Sequence, residues 1–157
     1  MTRILIADGS AVVRRLLKLL IESRPGWSVC GEAVNGEEAV LKARELKPDA
    51  VILDLAMAEL NGLLAAREIC QALPTVPVLL HTVNNIPAVI AEAKKFGIRR
   101  VVGKGEDGDR LLDAIQEELD SKPRGVGALL DEITPQSKNP ADPAPSGDRD
   151  DGPSKLN

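Results

Sequence analysis

Five times along the chain a short apolar run gives way to a stretch whose apolar residues recur at helical spacing, and this alternation restricts the possible folds more than any other feature. Arg3–Ala7 reads as a first strand; Val13, Leu16, Leu17 and Leu20 then mark a helix that Arg24-Pro25-Gly26 stops. Trp27–Ala33 is the second strand, and Asn35-Gly36 opens a helix carrying Ala39, Val40, Ala43 and Leu46, closed by Lys47-Pro48. Ala50–Leu53 is the third strand, and Leu63–Leu73 the third helix before Pro74. Val76–His81 is the fourth strand, and Pro87–Phe96 the fourth helix, with Gly97 in the C′ position. Val101-Val102 anchors a fifth strand and Asp109–Leu119 the fifth helix. Runs apolar on both faces, each followed by a helix, imply a parallel sheet covered on both sides. Right-handed crossovers turn that pattern into a doubly wound α/β domain, whose working groups gather beyond the C-terminal strand ends near the topological switch point.

The domain is expected to span residues 1–121. Beyond it the composition turns to Pro, Asp and Ser, and Ala141, Ala144 and Leu156 are the only apolar residues of 134–157. Such a segment buries too little surface to offset its ordering entropy, so 122–157 is expected to be mostly disordered. Within it Val126, Leu129, Leu130 and Ile133 fall at i, i+3, i+4 and i+7, the pattern of a short helix over 126–133, though eight residues are marginal alone.

Charge and composition narrow the function. A net charge of −4 with no basic cluster argues against a nucleic-acid surface, and Trp27 and Phe96 are the only aromatics, too few to stack bases. No stretch has the roughly 20 apolar residues of a membrane span, and a charge and the Asp8-Gly9 turn interrupt the apolar opening, unlike a signal peptide. Cys30 and Cys70 lack metal-ligand spacing and read as buried thiols of a cytoplasmic protein.

The strand ends carry the chemistry. Strand one ends on Asp8, strand three on Asp54, strand four on Thr82, and strand five runs into Lys104. Singly each has a plain explanation: a cap of the first helix for Asp8, an Asx-turn for Asp54, a turn for Thr82, solvation for Lys104. Together they are two carboxylates, a hydroxyl and an ammonium on one sheet edge. Carboxylates suit Mg²⁺, a carboxylate can attack phosphorus, and an ammonium and a hydroxyl can hold phosphoryl oxygens.

In that order, ILIADGSAVVRRLL, VILDLAMAELNGL, VPVLLHTV and FGIRRVVGK resemble the receiver domain of bacterial two-component response regulators over roughly residues 3–120. The resemblance implies a flavodoxin-like (βα)5 fold with strand order 2-1-3-4-5. It implies that Asp54 accepts a phosphoryl group from a histidine kinase or a histidine phosphotransfer protein, that Thr82 is the switch hydroxyl, and that Lys104 contacts the phosphoryl group. Mg²⁺ would be held by Asp8, Asp54 and the backbone carbonyl of Ala56. A downstream protein target, unnamed by the sequence, completes the partners.

Four positions depart from the family pattern. Gly9 stands where a second acid is usual, so the resemblance implies weakened Mg²⁺ binding. Val101 replaces an aromatic on strand five, so coupling from Thr82 has to run through backbone or the fourth helix. Ala58 and Gly105 replace prolines, and no cis bond is assumed beside Gly105. The first helix adds Val12, Leu16 and Leu19 as a second apolar row, near Arg14, Arg15 and Lys18: either deeply buried or a docking patch.

Three functions follow. The first is a phosphoaccepting stand-alone receiver. The second is a degenerate receiver that binds proteins without phosphate. The third is an aspartate-nucleophile phosphatase, disfavoured because Ala56 has no proton to give where such enzymes carry a second acid, and because Glu59 lies further along the loop. The lone His81 has no nucleophile around it and reads as strand-end packing.

Overall fold

The structure, a computed structural model, describes residues 1–57, 60–83 and 85–121. The expected tail over 122–157, its helix over 126–133, and Ala58 and Glu59 lie outside them. Ten elements alternate: β1 (Thr2–Ala7), α1 (Ala11–Glu22), β2 (Trp27–Ala33), α2 (Gly36–Leu46), β3 (Ala50–Leu53), α3 (Gly62–Ala72), β4 (Val78–Thr82), α4 (Pro87–Lys95), β5 (Arg100–Gly103) and α5 (Gly108–Asp120). The strands are parallel and lie in the order β2-β1-β3-β4-β5, the doubly wound arrangement expected.

Side chains alternate across the sheet and build two apolar layers. Leu5, Ala7, Val51, Leu53, Val78 and Leu80 point to α2, α3 and α4, where they meet Ala39, Ala43, Ala65, Ala66, Ile69 and Ala93. Ile4, Ile6, Ile52, Leu79 and Val102 point the other way, against Leu17 and Ile21 of α1 and Leu111 and Ile115 of α5. Burying each of these larger side chains is worth about 1.5–3 kcal/mol, so β1 and β3 at the centre anchor the sheet. Small residues on α2 and α3 let those helices lie close to the sheet and to each other.

Local signals set the helix ends. Ser10 caps α1 by accepting from the Val13 amide, Asn35 caps α2 by accepting from Glu38, and Asn61 caps α3 by accepting from Leu63 and Leu64. Pro87 sits in the first turn of α4, and Gly97, at φ +90°, ends it as expected at C′.

Three details differ from the sequence reading. β4 begins at Val78, because the Val76 amide closes a turn on the Leu73 carbonyl and Pro77 has no N–H; the strand then runs on to include Thr82. β2 is an edge strand, half-buried along most of its length, and its register against β1 slips at Cys30, between the Ile4–Val29 and Leu5–Gly31 pairs. Cys30 and Cys70 are only partly buried, though burial raises the pKa of both thiols. There is no cis peptide among the described residues.

Candidate functional site

The sheet's order reverses at β1 and β3, and the backbone fixes what emerges there. Ala7 pairs with Leu53 in register; the Asp54 amide donates to the Ala7 carbonyl at 2.9 Å and the Asp8 amide to Ala33 at 3.0 Å. Asp8 and Asp54 therefore leave neighbouring strands at the same level, both buried. On the far side of β3, Thr82 pairs with Gly103, and the Lys104 amide donates to the Thr82 carbonyl at 2.8 Å. From there the Lys104 side chain reaches back, placing Nζ 2.7 Å from Asp8 Oδ2 and 3.3 Å from Asp54 Oδ1.

Of the sequence-derived set, the structure thus brings Asp8, Asp54 and Lys104 into one ion-paired cluster. Thr82 borders it through its backbone. The Ala56 amide approaches Asp54 Oδ1 at 3.4 Å, a long Asx-type contact. Asp8 is not the helix cap; Ser10 is, and Asp8 Oδ1 accepts from the Ser10 amide at 2.8 Å.

Burial, and then the charge of Asp8, push the pKa of Asp54 above the ordinary carboxylate range, while Lys104 pulls against both. Burial works against the charge of Lys104, yet its hydrogen bond to Asp8 and the two carboxylate charges outweigh it and raise its pKa. Lys104 is therefore a fixed cation.

Two contributors escaped the sequence reading. Arg14, grouped there with Arg15 and Lys18 as docking charge, turns inward: its Nη1 donates to the Asp8 carbonyl at 2.7 Å and its Nε pairs with Glu32 at 3.1 Å. Glu106 ties the loops after β4 and β5 together, accepting from the Gly103 amide at 2.6 Å and from Asn85 at 3.1 Å while pairing with Arg110 at 3.2 Å. The Glu106–Arg110 pair at i, i+4 is local, but the reach of Glu106 to Asn85 and of Arg14 to Glu32 on β2 depends on elements distant along the chain. Val101 lines a cavity of about 400 Å³ with Asn85, Ile90, Glu106 and Arg110. His81 faces the opposite layer beside Leu16, Leu17 and Leu20; burial, then the Lys104 charge, lower its pKa to about 4. It is neutral packing rather than a base.

The model of the response regulator receiver domain matches residues 4–116. The chain belongs to that family. The chemotaxis protein CheY of Thermotoga maritima is 37% identical over 115 residues, 73% of this chain and 95% of that protein. A protein-glutamate methylesterase/protein-glutamine glutaminase of Alkalilimnicola ehrlichii is 35% identical over 133 residues, 80% of this chain but 34% of the enzyme. The chain therefore spans nearly all of the first relative and about a third of the second. The crystal structure of the response regulator domain of Thermotoga maritima CheB superposes with a TM-score of 0.74 at 32% identity, covering 78% of this chain and 99% of that one.

Receiver domains are signalling modules of two-component systems; they generally bind Mg²⁺ in the acidic pocket and interact with histidine kinases or phosphotransfer proteins and downstream targets. The two carboxylates here are hard oxygen donors, which suit Mg²⁺ completed by water. The described residues hold no third acid: no group of three His, Cys, Asp or Glu side chains lies together. Both Asp8 oxygens are already engaged, by Lys104 and by the Ser10 amide. The residues fit the ion, which usually takes one or two carboxylates and keeps several waters. No helix among the described residues is long and apolar enough to cross a membrane.

Proposed function

We propose that this receiver is a phosphoacceptor in a two-component phosphorelay. A carboxylate oxygen of Asp54 attacks the phosphorus of a phosphohistidine on a kinase or phosphotransfer protein; an O–P bond forms, the N–P bond breaks, and the departing imidazole nitrogen takes up a proton. The observation that carries this reading is the Lys104 ammonium held between Asp8 and Asp54, a fixed cation beside the proposed nucleophile. Lys104 turns from the carboxylates to the transferred phosphoryl oxygens, and the Thr82 hydroxyl at the end of β4 takes another. Mg²⁺, held by Asp8, Asp54 and the Ala56 carbonyl, supplies further charge neutralisation when bound. Phosphorylation then alters binding to a protein target. The chain turns over no external substrate, and the chemistry belongs in the cytoplasm.

The donor docks on α1. Val12, Leu16 and Leu19 are 68%, 60% and 66% exposed, a solvent-facing row rather than a buried one, and exposed Arg15 and Lys18 have no ion-pair partner among the described residues. A second reading, a degenerate receiver that binds without phosphate, is favoured by one observation: with Gly9 in place of an acid, Lys104 already neutralises one of the two carboxylates.

Intact mass after incubation with a small phosphodonor separates them. Wild type with Mg²⁺ gains one phosphoryl group, and Asp54→Asn gains none. Leu16→Ser keeps that adduct but is labelled more slowly by a histidine kinase. No adduct from either donor at high Mg²⁺ would establish the degenerate reading instead.

A further inference from the structure

Exposed Glu37, Leu41 and Arg44 fall at i, i+4 and i+7 of α2 and form one stripe along the helix. Leu41 is 66% exposed, and the stripe borders a groove of about 520 Å³ with Val40 and Leu60 in it and Glu68 of α3 beside it. Glu37, Arg44 and Glu68 have no ion-pair or hydrogen-bond partner among the described residues. The surface of β5 and α5 is built differently, because most of its charges are paired within the chain. Arg100 pairs with Glu117 and Glu118, Arg99 with Glu118, Arg110 with Glu106, and Asp113 with Arg24 of α1.

We infer that α2 is the contact surface of a two-fold dimer of this chain. In such a dimer one patch must complement itself, residue i meeting j while j meets i. Setting two α2 helices antiparallel about an axis between Val40 and Leu41 does this. Glu37 and Arg44 lie equally far from that axis, about 5 Å along the helix. Each Glu37 then faces its partner's Arg44, twice over, while the two Leu41 side chains meet at the axis and leave water together. A central exposed leucine with unpaired charges of opposite sign at equal distances on either side has this symmetry, whereas like charges at those two positions would repel. One leucine and two charged residues a side make few contacts beside the roughly 20–30 residues a side of a stable interface, so the dimer is weak and dependent on concentration.

Sedimentation equilibrium of the full chain from about 10 µM to about 0.5 mM tests this. Wild type is expected to associate across the range. Arg44→Glu sets acid against acid and Glu37→Arg sets base against base, so each alone weakens association about tenfold or more. Mixed in equal amounts, the two variants restore it as heterodimers, because each then meets the opposite charge; that recovery also shows both are folded. A wild type that stays monomeric throughout overturns the proposal. So do single variants that associate as wild type does, or a mixture that fails to recover.

Discussion

Asp8 and Asp54 share one ammonium at the sheet edge, and the position next to Asp8 is a glycine, Gly9. Gly9 is not required by the backbone: its φ is not positive, and a Cβ built there has only the Val34 carbonyl near it, at 3.8 Å. A carboxylate at this position therefore enters without strain, on the residue next to Asp8. Gly9→Asp is expected to raise Mg²⁺ affinity at least about tenfold, the lower end of what single ligand-sphere changes do. Titrating Mg²⁺ against the amide resonances of residues 54–56 measures it; equal affinities in the two proteins would show that the missing acid is of no consequence. Arg14 makes a complementary point. Its guanidinium, spent on the Asp8 carbonyl and Glu32, holds the loop that carries the one remaining acid.

Between elements, close backbone approach decides what the sequence can vary. At Gly62, the first residue of α3, a Cβ would lie 2.2 Å from the Asp54 carbonyl and 2.8 Å from the Leu55 Cα. Nothing lies within 4 Å of the same construction at Gly105. Alanine favours an isolated helix over glycine by about 1 kcal/mol, yet Gly62→Ala must push α3 away from the strand that carries Asp54. It is expected to lose about 2 kcal/mol or more in urea denaturation and to move the Asp54 amide resonance. Gly105→Ala, by contrast, should change stability by less than about 0.5 kcal/mol. A Gly62→Ala protein as stable as wild type would mean that the approach is slack. The same packing explains why Asn61-Gly62 follows strand three: the asparagine caps the helix, and the glycine lets it start against the site.

Over the whole molecule, two groups give stability opposite pH dependences. His81 is the only histidine, so its titration is unambiguous. Its folded pKa of about 4 lies below the unfolded 6.5, so the unfolded chain binds the extra proton between those values. The stability linked to neutral His81 is complete above about pH 6.5 and is lost as pH falls toward 4, at most about 3 kcal/mol, less for the exposed part of the ring. Asp54 runs the other way: its pKa is raised, so its charged form costs stability at neutral pH and protonation relieves that cost. Urea midpoints of His81→Leu should fall less than those of wild type between pH 6.5 and 4, and the His81 ring proton should titrate near 4. A midpoint near 6.5 would place the ring in solvent.

Strand and helix identities, the parallel sheet and the residues at the strand ends were legible because they are local: period-two and period-3.6 patterns, caps such as Asn35 and Asn61, and stops such as Gly97 act within a few residues. The switch-point rule then brought Asp8, Asp54 and Lys104 to one edge without any contact being known. What the sequence could not show depends on neighbours distant along the chain. The slip at Cys30 arises where β2 meets β1, and the later start of β4 depends on which partner the Val76 amide finds. Arg15 and Lys18 face water while Arg14, beside them, turns inward, because only its position on the helix overlooks the Asp8 carbonyl. Likewise, Val12, Leu16 and Leu19 read equally as core or as surface until α5 covered one side of α1 and left the other open. Patterning determines which segments fold and which face they bury; the tertiary structure decides which charges meet, because a pairing of a few ångströms depends on the register of elements that the local pattern does not encode.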